Sequence, residues 1–153
     1  MPSLVGSEMC IRDSLLCLQF CFTLKDMIAY HPLEHIHFNR ISGGLHSAIK
    51  LYPIEYFGTS FKQGLNYIVK NNTNTVTVFA YPTAPFMDNY LSSSQKIRDQ
   101  IKIVRHDKDP DYILTNWIFS PHDKLLIKYK DMKLHELKIE DMTYFNIYQK
   151  VNP

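Results

Sequence analysis

From residue 59 onward the apolar positions recur with a regular period. Phe61, Leu65 and Ile68 stand at helical spacing behind a capping Thr59 or Ser60. The Asn71-Asn72 pair should end that helix, because Asn tolerates the left-handed position after a C-terminus. Residues 75–81 are β-branched and aromatic almost throughout, the composition of a buried strand. The pattern then predicts a short helix over 85–94, a short strand over 101–105 and a longer strand over 112–119. Strands over 134–139 and 144–149 follow, joined by a turn at Glu140-Asp141. Alternating strands and helices ending in a hairpin indicate an α/β or α+β fold: a small sheet with flanking helices and a C-terminal β-hairpin.

Upstream the periodicity fades. Residues 26–58 hold Tyr30, Pro32, Phe38, Gly43, Gly44, Tyr52, Pro53, Tyr56, Phe57 and Gly58, an aromatic-, Pro- and Gly-rich junction of short helical turns. Before it, residues 15–24 (Leu-Leu-Cys-Leu-Gln-Phe-Cys-Phe-Thr-Leu) form an apolar run closed by Lys25 and Asp26. As a helix that run rises about 15 Å, half of a hydrocarbon core roughly 30 Å thick. Alone it reads as a signal-peptide core, a buried or interfacial helix, or part of a membrane span. The run Leu4 to Ser14 resembles the conceptual translation of a transposon-library sequencing adaptor, and such segments are set aside before fold reasoning. On that reading the frame is cut at its 5′ end, and the apolar run is the stump of a transmembrane helix. The expected division is 1–14 adaptor-derived, 15–25 helix remnant, 26–58 junction and 59–153 a small soluble α/β domain.

Composition narrows the function classes. The 153 residues are 45% hydrophobic and 21% charged, an ordinary globular balance that excludes a disordered tail or a fibre. With a net charge of +2 and scattered lysines, no nucleic-acid partner is expected. Cys10, Cys17 and Cys21 all precede the junction, so no disulfide framework staples the rest. Cys17 and Cys21 share a helix face and read as small apolar residues.

Four patterns invite a chemical reading. His31, His35 and His37 surround Glu34, but Pro32 stands where the zinc-protease pattern needs Glu and disfavours a helix carrying both imidazoles. Metal ligation is therefore not assigned. Gly43-Gly44 lacks the Gly-Lys-Ser/Thr that follows in a phosphate loop and reads as a tight turn. Asp107, Asp109 and Asp111 lack the Gly and distal Glu of a calcium loop, leaving a solvated turn. Asn71-Asn72-Thr73 is a formal glycosylation acceptor that marks an exposed bend.

Two longer stretches carry more. The segment from His31 to Gly44, with Pro32, Phe38, Asn39 and Gly43, resembles the His-Pro-x-x-x-x-x-Phe-Asn-x-x-x-Gly-Gly segment of polytopic membrane glycosyltransferases similar to dolichyl-phosphate-mannose protein mannosyltransferases. The segment from Glu55 to Ile68, with Tyr56, Gly58 and Ser60, is similar to that family's Asp-Tyr-Trp-Gly-x-Ser-x-Lys continuation, with Glu55, Phe57 and Thr59 as departures. The resemblance implies the non-catalytic C-terminal extracytoplasmic (periplasmic) domain of an enzyme that transfers a sugar from a polyprenyl-phosphate donor. It assigns no catalytic, cofactor-binding or metal residue here; His31, Pro32, Phe38, Asn39, Gly43, Gly44, Tyr56, Gly58 and Ser60 become architectural. The implied partners are the membrane, the upstream transmembrane part and a glycan or lipid-linked acceptor, with Tyr30, Phe38, Tyr52 and Tyr56 as interfacial aromatics. Two alternatives stand beside it. One is a secreted or membrane-anchored module binding glycans or peptides through Trp117, Tyr81 and Tyr90. The other is a small-molecule enzyme working at the sheet's carboxyl edge, near residues 81–85 and 116–120.

Overall fold

A computed structural model describes residues 3–38, 43–105, 108–116 and 132–150. The fold is α/β. Helix α1 (Ser3–Tyr30) leads through a 3₁₀ turn (Glu34–Ile36) and the short α2 (Gly44–Ala48) to α3 (Thr59–Asn71). Strand β1 (Val76–Tyr81), helices α4 (Thr83–Leu91) and α5 (Gln95–Gln100), and strands β2 (Ile101–Ile103), β3 (Tyr112–Asn116), β4 (Lys133–Ile139) and β5 (Met142–Gln149) complete it. The sheet order is β2-β1-β3-β5-β4, with β1 parallel to both β2 and β3 and the β4–β5 hairpin added antiparallel to β3.

The hairpin turns at Glu140 and Asp141, both at positive φ (47° and 63°), as a two-residue turn whose twist matches the strands requires. On β5, Tyr144 is the extra residue opposite the irregularity at Leu137/Lys138. That bulge brings Tyr144 to α3, where its hydroxyl donates to Gln63 Oε1 at 3.1 Å.

Helix α3 is the centre of the core. Phe61, Leu65 and Ile68 are fully buried, and Phe61 meets Phe86 and Phe145 edge-on at 5.3 and 5.4 Å. Each such side chain contributes about 1.5–3 kcal/mol by leaving water. Gly64 lets the helix close on the sheet: a Cβ there would stand 2.5 Å from the Phe145 ring. Tyr30, Leu33, Ile36, Leu45 and Ile54 from the junction join this same core.

Several details differ from the sequence-based expectations. Thr59 and Ser60 are not the cap of α3; Gly58 holds that position at φ 63°, and a carboxylate from upstream replaces the usual capping side chain. Asn72 is extended (φ −131°) rather than left-handed, and its side-chain amide donates to the Ile68 carbonyl at 2.8 Å instead. Helix α4 begins at Thr83, with Pro85 inside the first turn where no amide is missed, and α5 is a helix the periodicity did not announce. Asp111 is not a free turn carboxylate: it accepts from Thr77 N and Oγ1 at 2.8 and 2.7 Å and joins β3 to β1. Residues 117–119 of the expected third strand lie outside the described residues, as do Asp107 and Trp117.

Helix α1 runs past the apolar stretch in both directions. Lys25 and Asp26 end the hydrophobic run but neither breaks a helix, so α1 continues to Tyr30 and stops before His31-Pro32. Among the described residues no helix is long and apolar enough to cross a membrane.

Candidate functional site

Among the described residues a dense polar constellation lies outside the carboxyl end of β3, a position where open α/β sheets commonly bind ligands. Its centre is Glu55, a fully buried carboxylate. Thr59 Oγ1 donates to its Oε1 at 2.6 Å; Ser60 Oγ and Ser60 N donate to Oε2 at 2.5 and 3.3 Å. Asn116 Nδ2, at the end of β3, reaches both Oε2 and the Glu55 carbonyl at 3.3 and 3.2 Å. His35 Nε2 stands 3.3 Å from Oε1, its side chain a quarter exposed. A carboxylate over the first turn of α3 also meets the positive end of the helix dipole. One side chain thus ties the 3₁₀ turn, the start of α3 and the end of β3 together.

The burial of Glu55 dictates what surrounds it. Ile54 and Glu55 point inward, whereas Leu51, Tyr52, Tyr56 and Phe57 on either side are 59–72% exposed. The backbone holding them is pinned: Tyr52 N donates to Ala48 O at 2.8 Å, Gly58 N to Glu55 O at 3.1 Å, and Asn89 Nδ2 to Phe57 O at 2.8 Å. Gly58 is required both for its positive φ and because a Cβ would stand 2.9 Å from Phe61 and Pro85. Between this loop and α4 lies an open groove of about 580 Å³, bordered by Tyr56, Phe57, Pro85 and Asp88.

Tyr144 is buried, and desolvation, with the Glu55 charge adding to it, pushes its phenol up to about 12 against the opposing hydrogen bond to Gln63. On the β4–β5 hairpin, Lys133 and Lys138 hold the Glu136 carboxyl down to about 2 by hydrogen bonding.

The other sequence-derived candidates fall as follows. The three imidazoles face three different carboxylates: His31 Nδ1 is 2.7 Å from Glu34, His35 is on Glu55, and His37 Nε2 is 3.3 Å from Asp26. Among the described residues no group of three His, Cys, Asp or Glu side chains converges as a metal site. Pro32 follows a cis peptide, and Phe38 stacks on Tyr52 at 6.2 Å. Gly43 (φ 100°) and Gly44 (φ 62°) open α2, while Asn39 lies outside the described residues. Ser60 is buried on Glu55 and Tyr56 is exposed. Tyr30, expected at a membrane interface, is a core residue instead, since the foot of α1 packs into the domain. Tyr90 donates its hydroxyl to the Ile101 carbonyl at 3.0 Å and is only half-exposed, which leaves it poorly placed for stacking on a ligand.

Sequence reasoning treated Glu55 as one position of a motif and missed its role as the hub. The available signal was an acidic residue four and five positions before Thr59-Ser60 at a helix start, a cap acting from outside the usual window. Compared with family models, with curated proteins and with solved structures, the chain finds no match in any of the three.

Proposed function

We propose that this chain is the non-catalytic C-terminal extracytoplasmic domain of an integral-membrane glycosyltransferase whose parent moves a sugar from a polyprenyl-phosphate carrier. The observation that carries the reading is α1: from Leu15 to Ala29 its side chains are exposed, apart from half-buried Asp26, while Tyr30 at its foot is sealed into the core. A folded domain hung from an apolar rod is what a membrane enzyme's terminal domain requires. The architectural use of the resembling motif supports the same reading. Glu55, Gly58 and Ser60 are spent on building the start of α3, and Glu55 also holds Asn116 at the end of β3.

In this role the domain caps the membrane part on the periplasmic side, where a lipid-tethered donor must react near the bilayer surface. The chain alone transfers no sugar. Flotation tests the anchoring: the full chain rises with phosphatidylcholine–phosphatidylglycerol vesicles, and a Leu18→Asp/Phe22→Asp variant stays at the bottom of the gradient. A wild-type chain that stays at the bottom overturns the reading, as does sugar transfer by the chain alone. The groove beside Tyr56 and Phe57 favours the competing reading of a glycan- or peptide-binding module; selective retention on a glycan array by a chain that ignores vesicles would establish that one instead.

A further inference from the structure

The loop between α2 and α3 exposes four large apolar side chains on a backbone that is fixed. Leu51, Tyr52, Tyr56 and Phe57 are 72%, 59%, 65% and 66% exposed, yet Ile54 and Glu55 between them are buried. An exposed apolar cluster on a floppy loop could fold away; this one is held outward by the Glu55 hydrogen bonds and by Asn89 on the Phe57 carbonyl.

Ring contacts locate both exposed pairs beside the foot of α1. Tyr30 meets His37 edge-on at 5.0 Å, and the next residue, Phe38, stacks on Tyr52. His35 meets Phe57 at 5.9 Å, and Phe57 meets Tyr56 at 5.6 Å. The segment 35–38 therefore touches the end of α1 on one side and both exposed pairs on the other.

The level of that segment along α1 follows from the helix rise. The apolar run ends at Leu24, and Asp26 lies about 3 Å further along the axis. His37 stands 3.3 Å from Asp26. With the apolar run in hydrocarbon, His37 and its neighbours fall in the headgroup layer, a band of about 5–7 Å on each face of a bilayer. Tyr and Phe side chains favour that layer, and the exposed Lys50 beside Leu51 supplies a cation for lipid phosphate.

We propose that the loop over residues 50–57 is a lipid-contacting wedge: Leu51, Tyr52, Tyr56 and Phe57 insert into the headgroup–acyl boundary and fix the tilt of the domain on the bilayer. This rests on the membrane-anchored reading of α1 and adds a second, independent contact to it. Because Glu55 sits inside the loop, the same carboxylate that starts α3 sets which side chains meet lipid.

Spin-label depth measurement tests the wedge. In the full chain with its three cysteines changed to serine, a nitroxide is placed at Tyr52→Cys or Phe57→Cys, with Asp109→Cys as the reference. On binding phosphatidylcholine–phosphatidylglycerol vesicles, the two loop labels should lose access to a water-soluble nickel chelate by about twofold or more and gain access to oxygen, while the reference does not change. A Leu51→Ser/Tyr52→Ser/Phe57→Ser variant should keep its thermal midpoint, since these residues are exposed, and lose about tenfold or more in vesicle partitioning. If the chain floats with vesicles but the loop labels stay open to the chelate, the wedge is wrong and the anchoring by α1 stands. Should the chain fail to float, both fall. Chelate protection that depends on protein concentration and not on vesicles would assign the patch to a second copy of the chain and overturn the proposal.

Discussion

Helices α1 and α3 both carry large apolar side chains and treat them in opposite ways. In α3 the large apolar side chains fall on one face, and Phe61, Leu65 and Ile68 are fully buried against the sheet and α4. In α1 they are spread around the circumference, and Leu15, Leu16, Leu18, Phe20, Phe22 and Ile28 are 53–71% exposed. Apolar and polar residues alternate round α1 without a sorted face, so the helix offers no single stripe to pack on the domain as α3 does. The difference separates two parts of one chain: α3 organises a core, and α1 leaves that core with its apolar side chains exposed.

Substitutions in the two helices should break this symmetry most visibly. Phe61→Ala should cost about 3–5 kcal/mol in urea unfolding, whereas Phe20→Ala should fall within about 0.5 kcal/mol of the parent chain in detergent-free buffer. Equal losses at the two sites would mean that α1 is packed in water after all. Next, Glu55→Leu should destabilise by roughly 3 kcal/mol, since Ser60, Thr59 and Asn116 lose a common acceptor; the thermal midpoint reads it. Gly64→Ala should cost about 1–3 kcal/mol because the new methyl group collides with Phe145, with denaturant titration as the check.

Two pH effects are smaller. Tyr144 is raised from 10.0 to about 12 in the folded chain, so the neutral phenol is favoured there. Its contribution is whole below pH 10 and is lost as pH climbs through 12; the Tyr144→Phe variant should lose less stability than the parent across that interval. Glu136 moves the other way, from 4.5 to about 2. Its contribution is whole above pH 4.5 and disappears as pH falls through 2, and added salt should weaken it because Lys133, Lys138 and Glu136 stand at the surface. Acid titration of Glu136→Gln against the parent chain measures it.

The sheet and α3 were legible because their periodicities are strong. Val76, Val78 and Ala80 alternate with less buried neighbours, and Phe61, Leu65 and Ile68 mark one helical face. Helix α5, Gln-Lys-Ile-Arg-Asp-Gln, has only Ile97 to bury, too little to register as a period. The site was less legible, for a physical reason. Glu55 gains its importance from Asn116, sixty-one positions away, and from His35, which a local window cannot join to it. Tyr30 illustrates the same limit: beside an apolar run it reads as interfacial, and only the packing of α1 against the 3₁₀ turn sends it into the core.

The central claim is that the apolar residues of α1 are matched by a bilayer and not by the domain. Amide hydrogen exchange on the full chain, with and without phosphatidylcholine–phosphatidylglycerol vesicles, addresses it directly. The account predicts that α3 is protected in both conditions while residues 15–24 exchange fast in water and become protected when vesicles are added. Slow exchange of residues 15–24 in the vesicle-free monomer, or no change on adding vesicles, would contradict it.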